Sequence, residues 1–257
     1  MELQEVATNL DNLLHTSDFK DFCQNGLLVD STGNPNRKIT KIVTGVSLRS
    51  SLIDEAIKRK AQAIIVHHPN GFWNSDRDRR IVGDSGKYVR KLIRAGIDLF
   101  GYHLPLDAHS AVGNNAIIAQ KLLGLKGTRL IPFMDGVGRI GSGSITKELL
   151  DKAFPKGWKC LGAPIGRVKH NLVAVCSGSG TSGLEEAVNR GVDVFVTGEV
   201  HESTTIFAEE HGISVVVAGH HRTEVFGVAA LAEYINKPKN TYFDGVEAEF
   251  VDIDNPI

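Results

Sequence analysis

Continuous apolar runs alternate with amphipathic segments along the first half of the chain. Three runs have the length and character of buried strands: KIVTGV, AIIVHH and IDLFGYH. Three segments with apolar residues at helical spacing accompany them: LIDEAIKRK, GKYVRKLIRAG and NNAIIAQKLLG. Strands that are apolar on both faces need cover on both sides, and intervening helices supply it. The pattern therefore predicts an α/β arrangement of sheet and covering helices.

The second half of the chain repeats this order. Its apolar runs are NLVAVC, DVFVTG and ISVVVAG, and its helical segments are LEEAVNRG, TTIFAEEHG and VFGVAALAEYI. Glycines close several helices in both halves, because glycine tolerates the left-handed conformation at a helix end. The join, around residues 125–170, is rich in Gly and Pro and contains one further helical segment, ITKELLDKAF.

We therefore predict two related α/β halves, residues 1–126 and 127–257, with mixed sheets covered by helices. The closing segment TYFDGVEAEFVDI predicts one or two strands, which would be free to pack back on the first half. An alternative is that two runs of a common alternation share no ancestry. The order of the strands within each sheet does not follow from the sequence.

Composition and charge limit the kinds of protein that this chain can be. The chain has 257 residues and a net charge of −1, which argues against a broad nucleic-acid-binding surface. The short basic run at residues 77–80 is interpreted as a solvated loop. Three widely spaced cysteines fit a reducing compartment, and no apolar run reaches the length of a membrane span. We expect a cytoplasmic protein that does not enter a membrane.

Polar residues collect where the apolar runs end. In α/β sheets, ligand sites lie beyond the carboxyl ends of the strands, so these residues are the first candidates for function. In chain order they are His67 and His68; His103, Asp107 and His109; Glu199, His201 and Glu202; and His220, His221 and Glu224.

The strongest candidates combine imidazole with carboxylate, a mixture that suits zinc, iron or manganese. The set is more than a single tetrahedral zinc requires, and it suits two ions that share a bridging carboxylate and leave positions open for water. The predicted metal ligands are His67, His68, Asp107, His220 and Glu224.

Each part of this set has an alternative interpretation. Adjacent histidines in a regular strand point to opposite faces, so His67 and His68 meet only if the chain turns before Pro69. His220 and Glu224 share a face only if a helix begins there. Asp107 alone is also typical of a residue that starts a helix. The prediction of a metal site depends on the three features occurring together.

A glycine-rich turn in the second half supports a rival function. Gly178, Gly180 and Gly183 match G-x-G-x-x-G between a strand and a helix, and Glu199 follows at the distance of a ribose-binding acid. This pattern would indicate a dinucleotide site, although it lies late in the chain and has no counterpart in the first half. The other interpretation is a turn that closes over the metal pocket. No G-x-S-x-G motif supports a serine nucleophile.

Several motifs together resemble a known family. They are NGLLVD, KIVTGV, AIIVHH, YHLPLDAH followed by GNN, VTGEV, AGHHRTE and FVDIDNP, and they extend over nearly the whole chain. The chain resembles the Nif-three-like dinuclear-metal proteins, the GTP cyclohydrolase 1 type 2 homologs, and is most similar to their short, YbgI-like bacterial members.

The resemblance implies two divalent ions, zinc, iron or manganese, in a cleft between the two halves. It implies the same five ligands and adds His103, as a further ligand or a proton shuttle, ahead of His201. It also implies assembly as a hexameric ring. The leading hypothesis is a metal-dependent hydrolase of a phosphate ester, a nucleotide or a cyclic amide, with GTP cyclohydrolase-type activity suggested by the family name alone. The alternative is a non-enzymatic metal-binding regulator or ring-shaped scaffold.

Overall fold

The computed structural model describes residues 1–72, 80–125, 129–166 and 172–257. Contacts divide the chain into two units, one formed by residues 1–106 and 228–253, the other by residues 107–227 and 254–257. The predicted boundary at residue 126 and residues 77–79 of the basic run lie outside the described residues. The division into two related halves at that boundary stays a prediction.

The described elements alternate as the apolar pattern indicates. The helices are α1 (Leu3–Leu14), α2 (Ser50–Lys58), α3 (Gly83–Ala95), α4 (Leu104–Ala108), α5 (Asn114–Leu123), α6 (Lys147–Ala153), α7 (Leu184–Asn189), α8 (Glu202–Glu210) and α9 (His220–Ile235). The strands are β1 (Gly26–Val29), β2 (Lys41–Ser47), β3 (Ala63–His68), β4 (Asp98–Gly101), β5 (Ile131–Phe133), β6 (Gly138–Ser142), β7 (Lys159–Gly162), β8 (Leu172–Cys176), β9 (Val194–Thr197), β10 (Ser214–Val217) and β11 (Glu247–Phe250).

The first unit contains a five-stranded mixed sheet in the order β1-β4-β3-β2-β11. Strands β2, β3, β4 and β11 are parallel, and β1 runs antiparallel to β4 at one edge. The C-terminal strand β11 pairs with β2, with Phe250 opposite Thr44. Because β2, β3 and β4 are parallel, their carboxyl ends lie along one edge of the sheet, which we call the first strand-end edge.

The second unit contains a six-stranded mixed sheet in the order β5-β6-β8-β9-β10-β7. Its centre is the parallel set β8, β9 and β10, and the outer strands β5, β6 and β7 are antiparallel to their neighbours. The carboxyl ends of β8, β9 and β10 form the second strand-end edge. The predicted fold class, α/β with two mixed sheets covered by helices, is confirmed.

Burial on both faces explains why the central strands are continuously apolar. In β9, Val194 and Val196 pack into one apolar cluster and Phe195 into another, and all three side chains are fully buried. In β3, Ile64 and Val66 lie in the core of the first unit. Each such side chain stabilises its sheet by roughly 1.5–3 kcal/mol relative to exposure. Among the described helices, none is both long and apolar enough to cross a bilayer.

Candidate metal centre

Three histidine rings converge at the first strand-end edge. The ring centroids of His67 and His68 are 4.6 Å apart, and the His103 ring lies 5.0 Å from that of His67 and 5.7 Å from that of His68. One ring nitrogen from each of the three lies within 4.8 Å of the others. Nitrogen atoms this close can bind one transition-metal ion with little rearrangement, since zinc–nitrogen bonds are about 2.0–2.1 Å long.

The end of β3 explains how two adjacent residues reach one place. His68 is the last residue of the strand, and the N–H of Asn70 donates to the His68 carbonyl at 2.9 Å, so the chain turns at Pro69. The two rings therefore do not keep the opposite faces of a regular strand. His67 is fully buried, and its Nδ1 lies 3.0 Å from the Tyr102 carbonyl. A carbonyl only accepts, so His67 donates from Nδ1 and its Nε2 carries the lone pair.

A carboxylate that the sequence patterns did not single out lies behind His103. Asp21 Oδ1 is 3.0 Å from His103 Nδ1, and the Asp21 side chain is 1% exposed. Burial alone would raise the pKa of Asp21, but hydrogen bonds from His103, Asn25 and the N–H of Leu104 outweigh it and hold the pKa well below its usual range. Asp21 precedes β1 in a loop, so no strand-end pattern could have identified it.

Cys23 lies beside the same carboxylate. Together with Asp21 and His103 it forms a second group of potential ligand atoms within 4.8 Å of one another. Burial, and then the negative charge of Asp21, raise the pKa of the Cys23 thiol far above its usual value. The thiolate is the form that binds metals, so these surroundings favour the imidazoles over the cysteine as ligands.

At the second strand-end edge, His220 is the first residue of α9 and Glu224 follows one helical turn later. The helix begins at His220, which places the two side chains on one face, with His220 Nε2 3.1 Å from Glu224 Oε1. On the other side of the ring, Glu199 Oε1 lies 3.1 Å from His220 Nδ1. Burial would lower the pKa of His220, but the two carboxylates raise it to about 9.

Asp107 belongs to the second unit and is held by a buried network. Its Oδ1 accepts hydrogen bonds from Asn114 Nδ2 at 2.8 Å and Ser177 Oγ at 3.0 Å. Asn114 is fully buried and also accepts, through Oδ1, from the N–H of Gly227 in α9 at 2.5 Å. Asp107 is the fourth of the five residues of α4 rather than its N-cap, so the structure does not support its alternative interpretation as the residue that starts the helix.

The glycines of the G-x-G-x-x-G turn have packing reasons of their own. Gly178 has φ +59°, and a Cβ there would collide with the Glu224 carboxylate. A Cβ at Gly180 would lie 2.6 Å from Cys176 Cβ, and one at Gly183 would collide with Met134. The helix that follows, α7, has only six residues. The spacing of these glycines is thus accounted for by packing within the second unit, with no need for a dinucleotide.

Other strand-end residues have local structural roles. His109 Nδ1 accepts from the N–H groups of Ala111 and Val112, at 3.1 and 3.0 Å, and closes a turn. His201 is the N-cap of α8 and forms a capping box with Thr204. These contacts make His201 a weaker candidate than His103 for moving a proton.

Comparison with known proteins finds matches that extend over nearly the whole chain. The family model Duf34/NIF3 (NGG1p interacting factor 3) matches residues 1–256. A Pasteurella multocida protein named GTP cyclohydrolase 1 type 2 homolog is 37% identical over 266 residues, covering 100% of this chain and 98% of its own. The solved structure of protein ybgI, of unknown function, has a TM-score of 0.83 at 34% identity, and that of TTHA1606 from Thermus thermophilus has 0.82 at 30%. Both structural matches cover 100% of each chain.

Proposed function

Because the chain belongs to the DUF34/NIF3 family, as its sequence motifs indicate, we propose that it is a metal-dependent hydrolase that binds two divalent ions. The proposed ligands are His67 and His68 of the first unit and Asp107, His220 and Glu224 of the second. The ions would be zinc, iron or manganese, which accept this mixture of imidazole and carboxylate.

The observation that carries this proposal is the convergence of three imidazoles at the first strand-end edge, with ligand atoms within 4.8 Å. The second unit adds independent support. Asp107 is 6% exposed and Glu224 is 3% exposed. Glu224 Oε1 lies 3.1 Å from His220 Nε2, and burying a carboxylate is costly unless it is hydrogen-bonded, paired or bound to a metal ion, so these buried acids are compatible with a cation site.

Bound divalent ions would supply a lowered pKa for a water nucleophile and stabilise negative charge in the transition state. The role of His103 is to accept and deliver a proton, with Asp21 behind its Nδ1 at 3.0 Å to hold the ring in place. Developing negative charge suits a phosphate ester, a nucleotide or a cyclic amide as substrate. The relatives' name adds GTP to the compounds worth testing.

The first test is metal content after Asp107→Ala. We expect about two divalent ions per wild-type chain by elemental analysis and a loss of ions, together with activity, in the variant. Asp244→Ala, at an exposed carboxylate, should keep the wild-type metal content. Full occupancy in Asp107→Ala would overturn the ligand assignment.

A second pair of variants distinguishes shared from separate ions. If the two units bind the ions jointly, His67→Ala and Glu224→Ala should each weaken both ions. If each unit binds an ion of its own, each variant should remove one ion and leave the other with its wild-type affinity. The second result would overturn the joint ligand set while leaving metal binding in place.

Hydrolysis is tested by offering the zinc-, iron- or manganese-loaded protein phosphate monoesters, nucleotides including GTP, and small cyclic amides. Turnover that disappears on chelation supports the hydrolase. Stoichiometric metal without turnover on any of these classes would favour a non-enzymatic metal-binding regulator or scaffold. Assembly as a hexameric ring is also proposed, and sedimentation velocity giving a species other than six chains would contradict it.

A further inference from the structure

The loop before β1 holds His103 more completely than a single hydrogen bond would. Asp21 uses both carboxylate oxygens: Oδ1 faces His103 Nδ1 at 3.0 Å, and Oδ2 accepts from the N–H of Leu104 at 2.9 Å. Asn25 donates to Asp21 Oδ2 at 3.1 Å and accepts from the N–H of His103 at 2.8 Å. Ring and backbone of His103 are therefore fixed by the same two loop residues.

This arrangement leaves one position for the ring proton. Oδ2 of Asp21 has two N–H donors directed at it, and neither Leu104 N–H nor the Asn25 amide can reverse its role there. Oδ1 has the backbone N–H of Cys23 at 3.3 Å and the His103 ring at 3.0 Å. An ionised carboxylate only accepts, so His103 must donate from Nδ1, and the lone pair of its neutral ring is on Nε2.

We propose that Asp21 is a positioning residue that locks His103 in the Nδ1–H tautomer and so presents the basic Nε2 nitrogen at the first strand-end edge. The use of that nitrogen, for proton transfer or as an additional metal ligand, rests on the proposed function. The tautomer does not, because it follows from the contacts of Asp21 within the first unit.

If Asp21 fixes the His103 tautomer, Asp21→Asn should change which ring nitrogen of His103 carries the proton. The amide has one accepting oxygen. At the Oδ2 position it keeps the hydrogen bonds from Leu104 and Asn25 and gives up only the longer contact from the Cys23 N–H, at 3.3 Å, so the oxygen is expected there. The amide nitrogen then occupies the position of Oδ1 and donates toward His103 Nδ1, which must become an acceptor. The ring proton is therefore expected to move to Nε2, although the side chain has changed by only one group.

The test is nuclear magnetic resonance of the full-length protein labelled with ¹⁵N-histidine, above about pH 8, where a free imidazole is neutral. It is recorded with diamagnetic zinc bound and again after chelation. Long-range proton–nitrogen correlations show which ring nitrogen carries the proton, and the signals lost in His103→Gln assign the ring. We expect Nδ1–H in the wild type, Nε2–H in Asp21→Asn, and Nδ1–H in Asp18→Asn, a matched change at an exposed carboxylate three residues away.

A wild-type ring protonated on Nε2 would overturn the proposal, and this measurement needs no variant, so it decides the matter even if Asp21→Asn fails to fold. An Asp21→Asn protein that is folded and keeps Nδ1–H would also overturn it. Where a hydrolysable substrate is found, Asp21→Asn should lower turnover about 10–100-fold with metal content retained. Absence of turnover in the wild type would refute the hydrolase and leave the tautomer result standing.

Discussion

At the first strand-end edge the potential ligands are imidazoles with one carboxylate behind them, whereas at the second they are mainly carboxylates. The frames are alike: β2-α2-β3-α3-β4 and β8-α7-β9-α8-β10 each place three parallel strands side by side. His103 follows the third strand of the first set, and His220 follows the third strand of the second. The same strand–helix arrangement thus presents two different sets of potential metal ligands.

The two histidines share one feature that explains how each edge is organised. His103 Nδ1 lies 3.0 Å from Asp21, and His220 Nδ1 lies 3.1 Å from Glu199. A carboxylate on Nδ1 orients an imidazole and increases the basicity of Nε2, as in many metal sites. The other neighbours differ: the His103 ring lies near the rings of His67 and His68, whereas His220 Nε2 faces the carboxylate of Glu224. The two edges are therefore alike in having a carboxylate on a histidine Nδ1, and they differ in the charge of the other groups near the ring.

The largest effect should come from Asn114→Ala, which breaks the network beneath Asp107. The buried N–H of Gly227 and the Asp107 carboxylate would each lose a partner, and an unsatisfied buried group costs roughly 1–3 kcal/mol. We expect the free energy of unfolding, measured in urea, to fall by about 3 kcal/mol. Asn12→Ala, at an exposed position of α1, should stay within about 0.5 kcal/mol of wild type. Equal effects would show that the second edge needs no such network.

Gly178→Ala should have the next largest effect. An alanine there adopts the left-handed conformation, at roughly 1–2 kcal/mol, and its Cβ displaces the Glu224 carboxylate. Gly191→Ala is the matched control, because φ is +77° and a Cβ would meet nothing within 4 Å. We expect a loss of about 2–3 kcal/mol for Gly178→Ala against about 1 kcal/mol for the control, and weaker metal binding only in the former. Equal stability and metal content in the two variants would contradict the close contact.

The charge at the second edge predicts a pH dependence of the metal-free protein. The folded pKa of His220 is raised to about 9, above the unfolded value of about 6.5. The stabilisation is therefore complete below pH ~6.5 and is lost as the pH rises to about 9. Solvent screening at this partly exposed pair limits it to about 1–2 kcal/mol. Urea denaturation at several pH values should show this decline, and His220→Gln should remove it. A decline that persists in the variant would assign it to another group.

The sequence predicted the helices and strands that have a clear pattern of apolar residues, and it missed strands that lack one. Strands β3 and β9 were predictable because they are apolar on both faces, and the start of α9 fits the spacing of His220 and Glu224. Strand β6 was not predicted, since Gly138 and Gly141 break its apolar pattern. A Cβ at Gly141 would lie 2.8 Å from a methyl carbon of Leu123, so close packing, rather than propensity, requires a glycine in this strand.

The same distinction applies to the candidate site. His67, His68 and His220 stand at the ends of apolar runs, where a single sequence reveals them. The residues that support His103 and Asp107 have no such signal: Asp21 meets His103 across 82 positions, and Ser177 meets Asp107 across 70. Such pairs are brought together by strand order, which the apolar pattern does not encode. The strand-end histidines, and Glu199 beside His220, could therefore be singled out from the sequence, whereas Asp21 and Ser177 could not.

The smallest effect expected is that of Ser47→Ala at the first edge. Ser47 Oγ lies 3.2 Å from His68 Nδ1, and the pair is only partly buried, so its loss should cost about 0.5–1 kcal/mol of stability. Metal affinity, measured by competition with a chelator, should fall by less than tenfold, because a hydroxyl orients an imidazole less firmly than a carboxylate does. Ser17→Ala, at an exposed hydroxyl, is the control for both measurements. If Ser47→Ala instead lowered the metal affinity tenfold or more, the range expected for removing a carboxylate that orients a ligand, the first edge would depend on its hydroxyl as much as on a carboxylate, and the contrast between the two kinds of support would fail.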